Sequence, residues 1–193
     1  MKKLFVIALA ALATLTASAQ TLGKVNFNEL VMLMPEMDAA REAIAASQKE
    51  AEETYSAMLE EYQGKMNQYQ QKQSTWTSAI RESKERELME IQNRIQEFQQ
   101  SISQELQQQQ AQLTAPIQEK ANNAVLELAK AKGITILFDV SQAIYFDDSK
   151  VVDLTADARK ALNIPAGRTL ESLQAELQAQ AQAQQAQQGQ QTK

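Results

Sequence analysis

Two narrow stripes of apolar residues run along the chain between residues 37 and 131, each with the spacing of one helix face. The first consists of Met37, Ala40, Ile44, Ala51, Tyr55, Met58, Tyr62, Met66, Tyr69, Trp76 and Ile80. The second consists of Leu88, Ile91, Ile95, Phe98, Ile102, Leu106, Leu113, Ile117, Ala124, Leu128 and Ala131. Such narrow stripes are typical of a coiled-coil seam rather than of the broad buried face of a globular helix.

A Ser- and Thr-rich segment, residues 73–83 (QSTWTSAIRES), separates the two stripes. Because these residues favour caps and turns, the pattern predicts an antiparallel helical hairpin over residues 37–113 with its tip near residues 74–83. A single uninterrupted helix is the alternative. Pro116 lacks a backbone donor and clashes with the preceding turn, so we expect a kink or break near Leu113–Pro116.

Short strand-like segments flank this helical region. Residues 24–28, KVNFN, alternate and predict a strand, with Asn28 capping the next helix and Pro35 interrupting or restarting it. Lys130, Lys132 and Gly133 are helix stop signals. The segment that follows, GITILFDVSQAIYF, predicts two strands in a β-hairpin, and Asp153 or Thr155 would cap a final helix over roughly residues 156–163.

The predicted fold class is therefore α+β, a long antiparallel helical hairpin on a small β body. Residues 20–36 and 114–165 would form the body. Three short strands make a marginal sheet alone, so we expect the strand residues in a subunit core or an oligomer interface. These residues are Val25, Phe27, Ile134, Ile136, Phe138, Ile144 and Phe146.

Both ends of the chain differ from this pattern. The first residues, MKKLFVIALAALATLTASAQ, have the charge, apolar run and small-residue site of a signal peptide over residues 1–19, cleaved after Ala19. An exported protein without a stable membrane anchor is expected. Residues 166–193 are rich in Gln and Ala and predict a disordered tail, in which Leu170, Leu173 and Leu177 could form a transient helix.

The amino-acid composition excludes several kinds of chemistry. The chain has no Cys and no His, which removes disulfides, thiol chemistry and the commonest general base and metal ligand. We therefore expect neither an enzyme nor a cofactor. Turn formation and helix capping explain Asp147, Asp148 and Asp153 better than a metal site does. A solvated helix face likewise explains the carboxylate pairs at residues 52–53 and 60–61 better than acid–base catalysis does.

The chain is acidic. Signal cleavage would remove two of the 19 basic residues and none of the 24 acidic ones, leaving 17 against 24 and a net charge of −7. This balance argues against nucleic acid and against a broadly basic membrane-binding face.

Two stretches at the ends of the folded region carry specific motifs. ILFDVSQAIYFDDSKVVDLTADARKAL, residues 136–162, has an Asp-terminated strand, a Tyr-containing segment, a polar turn and a D-L-T-A-D helix start, and VNFNELVML, residues 25–33, has a short strand that runs into a helix. In both stretches the chain resembles the Skp/OmpH family of periplasmic chaperones, and residues 136–162 are the more specific. The resemblance covers about residues 20–163.

The resemblance implies a homotrimer whose helical hairpins surround a cavity. Its implied activity is that of an ATP-independent periplasmic holdase, which binds unfolded outer-membrane proteins and prevents their aggregation. The best-known members are basic, whereas this chain is acidic. The alternative is a periplasmic structural adaptor that docks another envelope component through its hairpin tip. Candidate client contacts are Trp76, Met66 and Met89, for which core packing is the competing explanation.

Overall fold

The computed structural model describes residues 21–191, so the predicted signal peptide and its cleavage site lie outside the described residues. Three strands are present: β1 (Leu22–Val25), β2 (Ile136–Asp139) and β3 (Val151–Asp153). Five α-helices are described, namely α1 (Phe27–Leu33), α2 (Pro35–Lys72), α3 (Ser78–Ala131), α4 (Thr155–Ala161) and α5 (Leu170–Gln191). Within these residues, no helix is both long and apolar enough to cross a membrane.

The chain divides into two compact units. The body unit comprises residues 21–30 and 121–167, and the hairpin unit comprises residues 31–120 and 168–191. The sequence-derived bounds, 20–36 with 114–165 for the body and 37–113 for the hairpin, stay a prediction. The predicted break near Leu113–Pro116 does not occur, because α3 continues through Pro116.

The body unit contains a three-stranded parallel sheet in the order β2-β1-β3. Leu22 lies opposite Ile136 on one side and Val151 on the other. The predicted β-hairpin over residues 133–146 is therefore wrong, because β2 and β3 both pair with β1 and the AIYF segment forms no strand. Its aromatic and β-branched residues favour a strand, but β1 already has a partner on each edge.

The first strand and its cap also differ from the prediction. β1 ends at Val25, so Phe27 is the first residue of α1 rather than part of a strand. Asn26, not Asn28, caps this helix. Its side chain accepts a hydrogen bond from the Glu29 amide at 3.2 Å and donates one to the Glu29 carboxylate at 2.8 Å. The bond to the Glu29 amide satisfies one of the backbone donors that the helix start leaves free, and the bond to the Glu29 carboxylate holds the two side chains together.

The ends of α3 and α4 follow local sequence signals. Gly133 has φ +64°, and the Ile134 amide donates to the Ala129 carbonyl at 2.9 Å, as in a Schellman cap. Asn163 performs the same role after α4, with φ 56° and a 2.9 Å bond from the Ile164 amide to the Arg159 carbonyl. The predicted stop at Gly133 is confirmed.

The core of the body unit gathers residues from its strands and helices. Leu30, Leu154 and Leu162 are almost fully buried. The remaining buried members are small or β-branched, namely Val25, Ala121, Val125, Ala129, Ala158 and Ile164. Because the sheet is so small, helical residues supply most of this core.

The hairpin unit is built on α2 and α3, which run antiparallel on either side of a turn at residues 73–77. Side chains of α2 and α3 bond across the hairpin along its length, from Lys65–Glu87 to Lys120–Glu36. The predicted hairpin is therefore confirmed and the single uninterrupted helix is excluded. Pro35 restarts the chain as the first residue of α2.

Residues 170–191 form the helix α5, where the sequence predicts a disordered tail. Leu173 is 3% exposed, and Arg168 forms an ion pair with Asp38 at 2.6 Å. One side of α5, including Leu173 and Leu177, lines a groove with α2 residues between Asp38 and Ala45. Ala, Gln, Glu and Leu are good helix formers, and the buried leucine adds the tertiary contact that composition alone does not predict.

Candidate functional site

A ladder of polar side chains sets the register of the hairpin. Gln92 donates to the Tyr62 hydroxyl at 2.6 Å, and Gln99 donates to the Tyr55 hydroxyl at 2.8 Å. Further pairs join Lys65 to Glu87, Arg94 to Glu61, Gln109 to Ser47 and Lys120 to Glu36. With most of these groups exposed to water, the ladder specifies alignment more than it adds stability.

Two of these ion pairs shift carboxyl titration. A hydrogen bond from Lys65, followed by one from Lys84, holds the pKa of Glu87 below its ordinary value. The hydrogen bond from Lys120 does the same for the pKa of Glu36. Neither group is deeply buried in a cleft, so the shifts reflect alignment of α2 and α3 rather than acid–base catalysis.

The apolar seam between α2 and α3 is closed towards the tip. Leu88, Ile91 and Ile95 of α3 are buried, with exposures of 9%, 3% and 9%. The register brings the large side chains of Met66 and Tyr62 opposite this part of α3. Large apolar groups on both helices therefore cover one another.

The seam opens over the middle of the hairpin. Phe98, Ile102 and Leu106 occupy the next seam positions of α3, but each is only half-buried. Among the described residues, no member of α3 between Ile95 and Ile117 is buried. The seam closes again near Ala40 and Ile117, which are 4% and 7% exposed.

Two open grooves follow this middle section, one along each side of the seam; we call them the mid-hairpin grooves. The first has a volume of about 430 Å³ and is lined by Gln48, Ala51, Glu52, Tyr55, Phe98, Gln99, Ile102, Ser103 and Leu106. The second has a volume of about 390 Å³ and is lined by Ser47, Glu50, Ala51, Thr54, Phe98, Ile102, Glu105, Leu106 and Gln109. Both share Ala51 and the three half-buried side chains of α3.

The charge around the mid-hairpin grooves is negative. Lys49 is the only basic residue of α2 between Arg41 and Lys65, and Glu50, Glu52 and Glu53 follow it directly in sequence. The α3 sequence contains no Lys or Arg between Arg94 and Lys120, but it contains Glu97 and Glu105. Each groove therefore has an apolar floor and an acidic rim.

The sequence-predicted client contacts lie elsewhere in the hairpin unit. Trp76 is half-buried in the turn, with its ring 5.9 Å from that of Tyr69 in an edge-on arrangement. Met66 is half-buried and Met89 is 54% exposed. The three residues do not form one site. Their role as client contacts stays a prediction, and the contact with Tyr69 agrees with Trp76 closing the tip.

The predicted body residues fall into two groups. Val25 is in the core of the body unit, and Phe138 packs on Phe146 with ring centroids 5.6 Å apart. Phe27 and Ile134 are half-buried. Ile136 and Ile144 instead have exposures of 50% and 105%, so within one chain they lie outside the core. Their placement at an oligomer interface stays a prediction.

Lys24 organises the acidic turn of the body unit, a role that sequence reasoning missed. Its ammonium group pairs with Asp148 and lies 3.4 Å from the Asp153 carboxylate. The ammonium group also lies 4.6 Å from the centroid of the Phe146 ring. The hydrogen bond with Asp148 raises the pKa of Lys24, although burial opposes the shift. Alternation within KVNFN placed Lys24 on one face of a strand but did not indicate its distant partners.

The acidic residues of this turn serve local structure. Asp147 accepts a hydrogen bond from the Ser149 amide at 3.0 Å, and Asp153 accepts one from the Thr155 amide at 2.8 Å. In the described part of the chain, no three acidic, His or Cys side chains are placed to hold a metal ion. Asp147 thus caps the short 3₁₀ turn at Asp148–Lys150, as predicted. The bond of Asp153 forms a turn before α4, whose N-cap is Leu154 rather than the predicted Asp153 or Thr155.

Sequence reasoning also missed the opening of the seam. It placed Phe98, Ile102 and Leu106 correctly in the second stripe, but not their half-exposure. The available signal was the composition of the facing stripe, where Ser47, Gln48 and Ala51 occupy positions that need large apolar residues to close a seam.

The fold and the grooves together define a class of protein: an α+β chain whose long helical hairpin offers an extended contact surface. The family model described as "Outer membrane protein (OmpH-like)" matches residues 21–162, most of the chain. The protein therefore belongs to the OmpH-like family, whose members are periplasmic chaperones rather than enzymes. Comparison with curated protein sequences gives no match.

Proposed function

We propose that the protein is an ATP-independent periplasmic holdase, which binds unfolded outer-membrane proteins and prevents their aggregation. The observation that carries the proposal is the open seam of the hairpin. Phe98, Ile102 and Leu106 present apolar surface without forming a deep pocket. Such a surface suits weak contact with many sequences better than selection of one ligand.

Weak contacts suffice when several act together. A contact with a dissociation constant of about 1 mM is worth only about 4 kcal/mol. Linking such contacts along one unfolded chain raises the overall affinity by about 10²–10⁴-fold when the geometry allows simultaneous engagement. A holdase built this way keeps its client from aggregating, yet each contact releases fast enough for later folding.

A homotrimer would bring three hairpins to one client, and the body unit offers a surface for assembly. Ile144 and Tyr145 are 105% and 85% exposed, and Ile136 and Val152 are 50% and 37% exposed. β2 and β3 each have one edge without a strand partner among the described residues. Exposed apolar groups beside open strand edges are liabilities that association with other copies removes.

Oligomeric state is the first test. Light scattering on the chain from Gln20 onwards should give three subunits, and Ile144→Asp should dissociate them, because the charge would have to be buried at the interface. Met89→Asp, which changes a residue on the hairpin that is 54% exposed, is the matched control and should leave the trimer intact. A wild-type protein that stays monomeric at all concentrations would contradict the trimer.

Holdase activity is the second test. The protein should suppress the aggregation of an unfolded β-barrel client, equally with and without ATP. Absence of suppression at several-fold excess of protein, at both low and moderate salt, would contradict the proposal and favour the adaptor alternative.

A further inference from the structure

We infer that the mid-hairpin grooves bind apolar polypeptide segments flanked by Lys or Arg, so that this chaperone selects basic rather than acidic stretches of its clients. The inference rests on the proposed holdase function and adds a site and a client chemistry to it. Its two physical parts are the apolar floor of the grooves and the sign of the charge around them.

The apolar floor exists because the two stripes do not match in size over this section. Phe98, Ile102 and Leu106 face small or polar residues, among them Ser47 and Ala51. A side chain with a methyl or a hydroxymethyl group cannot cover a Phe or an Ile across a coiled-coil seam. The uncovered carbon surface remains available, and burying it under a client side chain is favourable.

The shape of the grooves suits an extended segment. They follow the seam on opposite sides, share Ala51 as a common floor residue, and span two turns of α3 from Phe98 to Leu106. No α5 side chain lines either groove among the residues that the structure describes. The chain's own C-terminal helix therefore leaves these surfaces open.

The charge around the grooves decides which segments fit. Glu52 lines the first groove, and Glu50 and Glu105 line the second. None of the three forms an ion pair within the described residues, and neither groove has a basic residue in its lining. Lysines flanking an apolar segment would find uncompensated carboxylates here, whereas acidic flanks would be repelled.

The size of the preference follows from exposed ion pairs. Each exposed pair changes affinity by a factor of about 1.4–5. Two or three such pairs give a preference of roughly tenfold at low salt, which should shrink as salt screens the exposed charges.

Two labelled peptides test the inference on the full exported chain. They share one apolar core and differ only in their flanks, two Lys or two Glu at each end. Fluorescence anisotropy should give about tenfold tighter binding for the Lys-flanked peptide at about 50 mM salt, and near-equal binding at about 500 mM. Equal affinities at low salt would overturn the inference.

Variants locate the site. The triple substitution E50Q/E52Q/E105Q should remove most of the preference for Lys flanks. E60Q/E82Q/E90Q is the matched control, since it removes the same charge from exposed hairpin residues outside both grooves. Ile102→Ser should weaken both peptides by a similar factor, with helicity by circular dichroism confirming the fold. If the two triple variants lose the preference for Lys flanks equally, net charge alone explains the preference and the proposed site is refuted.

The same samples separate this inference from the proposed function. Client aggregation that is suppressed without any peptide selectivity would overturn the groove inference and leave the holdase proposal standing. Selective peptide binding without suppression of aggregation would overturn the holdase proposal, whereas the inference about the mid-hairpin grooves would stand. A photo-crosslinker at Gln48 that captures a second copy of this chain, even with saturating peptide, would show that a copy rather than a client fills the groove and would overturn the inference.

Discussion

The opening of the seam can be measured by making one substitution at two places. Ile91 and Ile102 both lie on the seam face of α3, and both would become Ala. The change in intrinsic helix propensity is the same at the two positions, so it cancels in the comparison. Ile91 is 3% exposed, whereas Ile102 is half-buried on the floor of both mid-hairpin grooves.

The structure predicts that the two substitutions lower the free energy of unfolding by different amounts. Truncating a buried Ile to Ala loses transfer free energy and leaves a cavity, so Ile91→Ala should cost about 3 kcal/mol of the free energy of unfolding. At Ile102, three carbons at about 0.8 kcal/mol each are largely but not fully removed from water, which gives about 2 kcal/mol. Water can fill the open groove, so no cavity cost is added there. The expected difference is about 1 kcal/mol.

Urea unfolding followed by circular dichroism would measure both costs. Protein concentration must be identical in all samples, because association couples stability to concentration. Unchanged m-values would show that only stability has changed. If Ile102→Ala costs as much as Ile91→Ala, the seam is closed throughout, and the mid-hairpin grooves lose their physical basis.

Three further predictions concern other parts of the fold. Gly23→Val should destabilise the body unit by about 1–3 kcal/mol, because a Cβ at Gly23 would lie 2.9 Å from Cγ2 of Ile134; unchanged thermal unfolding would contradict this close approach. Asn26→Ala should cost about 1 kcal/mol by removing the cap of α1, and Asn26→Ser should recover most of it in urea titrations; a loss as large for Ser as for Ala would argue against capping. The Lys65–Glu87 pair has a lowered carboxyl pKa and a raised ammonium pKa, so its stabilisation should be present between about pH 4.5 and 10.5, fading as the pH falls below 4.5 or rises above 10.5. Glu87→Gln should remove this contribution to the pH dependence, and a pH–stability profile identical to that of the wild type would exclude the pair as its source.

The hairpin could be predicted from sequence because its determinants are local and repetitive. The spacing of the two stripes indicated α2 and α3, and the polar segment around Trp76 indicated the turn. The stop at Gly133 followed equally directly, since a left-handed residue after a helix favours Gly. Family-specific residues between Ile136 and Leu162 then indicated the OmpH-like family, which the family match confirms.

Strand pairing could not be predicted in the same way. AIYF, residues 143–146, has a stronger strand composition than Val151–Asp153, yet the latter pairs with β1. Strand propensity measures how a side chain suits a half-buried pleated surface, but the choice of partner depends on which edge is free and on the path of the intervening chain. The predicted antiparallel hairpin thus became two parallel pairings with one central strand.

For the C-terminal helix and the open seam, too, the sequence determined one part of the outcome and the tertiary structure the other. Gln and Ala in residues 170–191 permit helix formation, but the burial of Leu173 and the pairing of Arg168 with Asp38 arise only in the folded chain. Sequence alone placed Phe98, Ile102 and Leu106 on one helix face and showed that this section of the hairpin is acidic, but it named Ala124 and Leu128 where Val125 and Ala129 are the buried residues of α3. The tertiary structure decided that Phe98, Ile102 and Leu106 remain half-exposed, because coverage depends on the sizes of the residues that the register places opposite them.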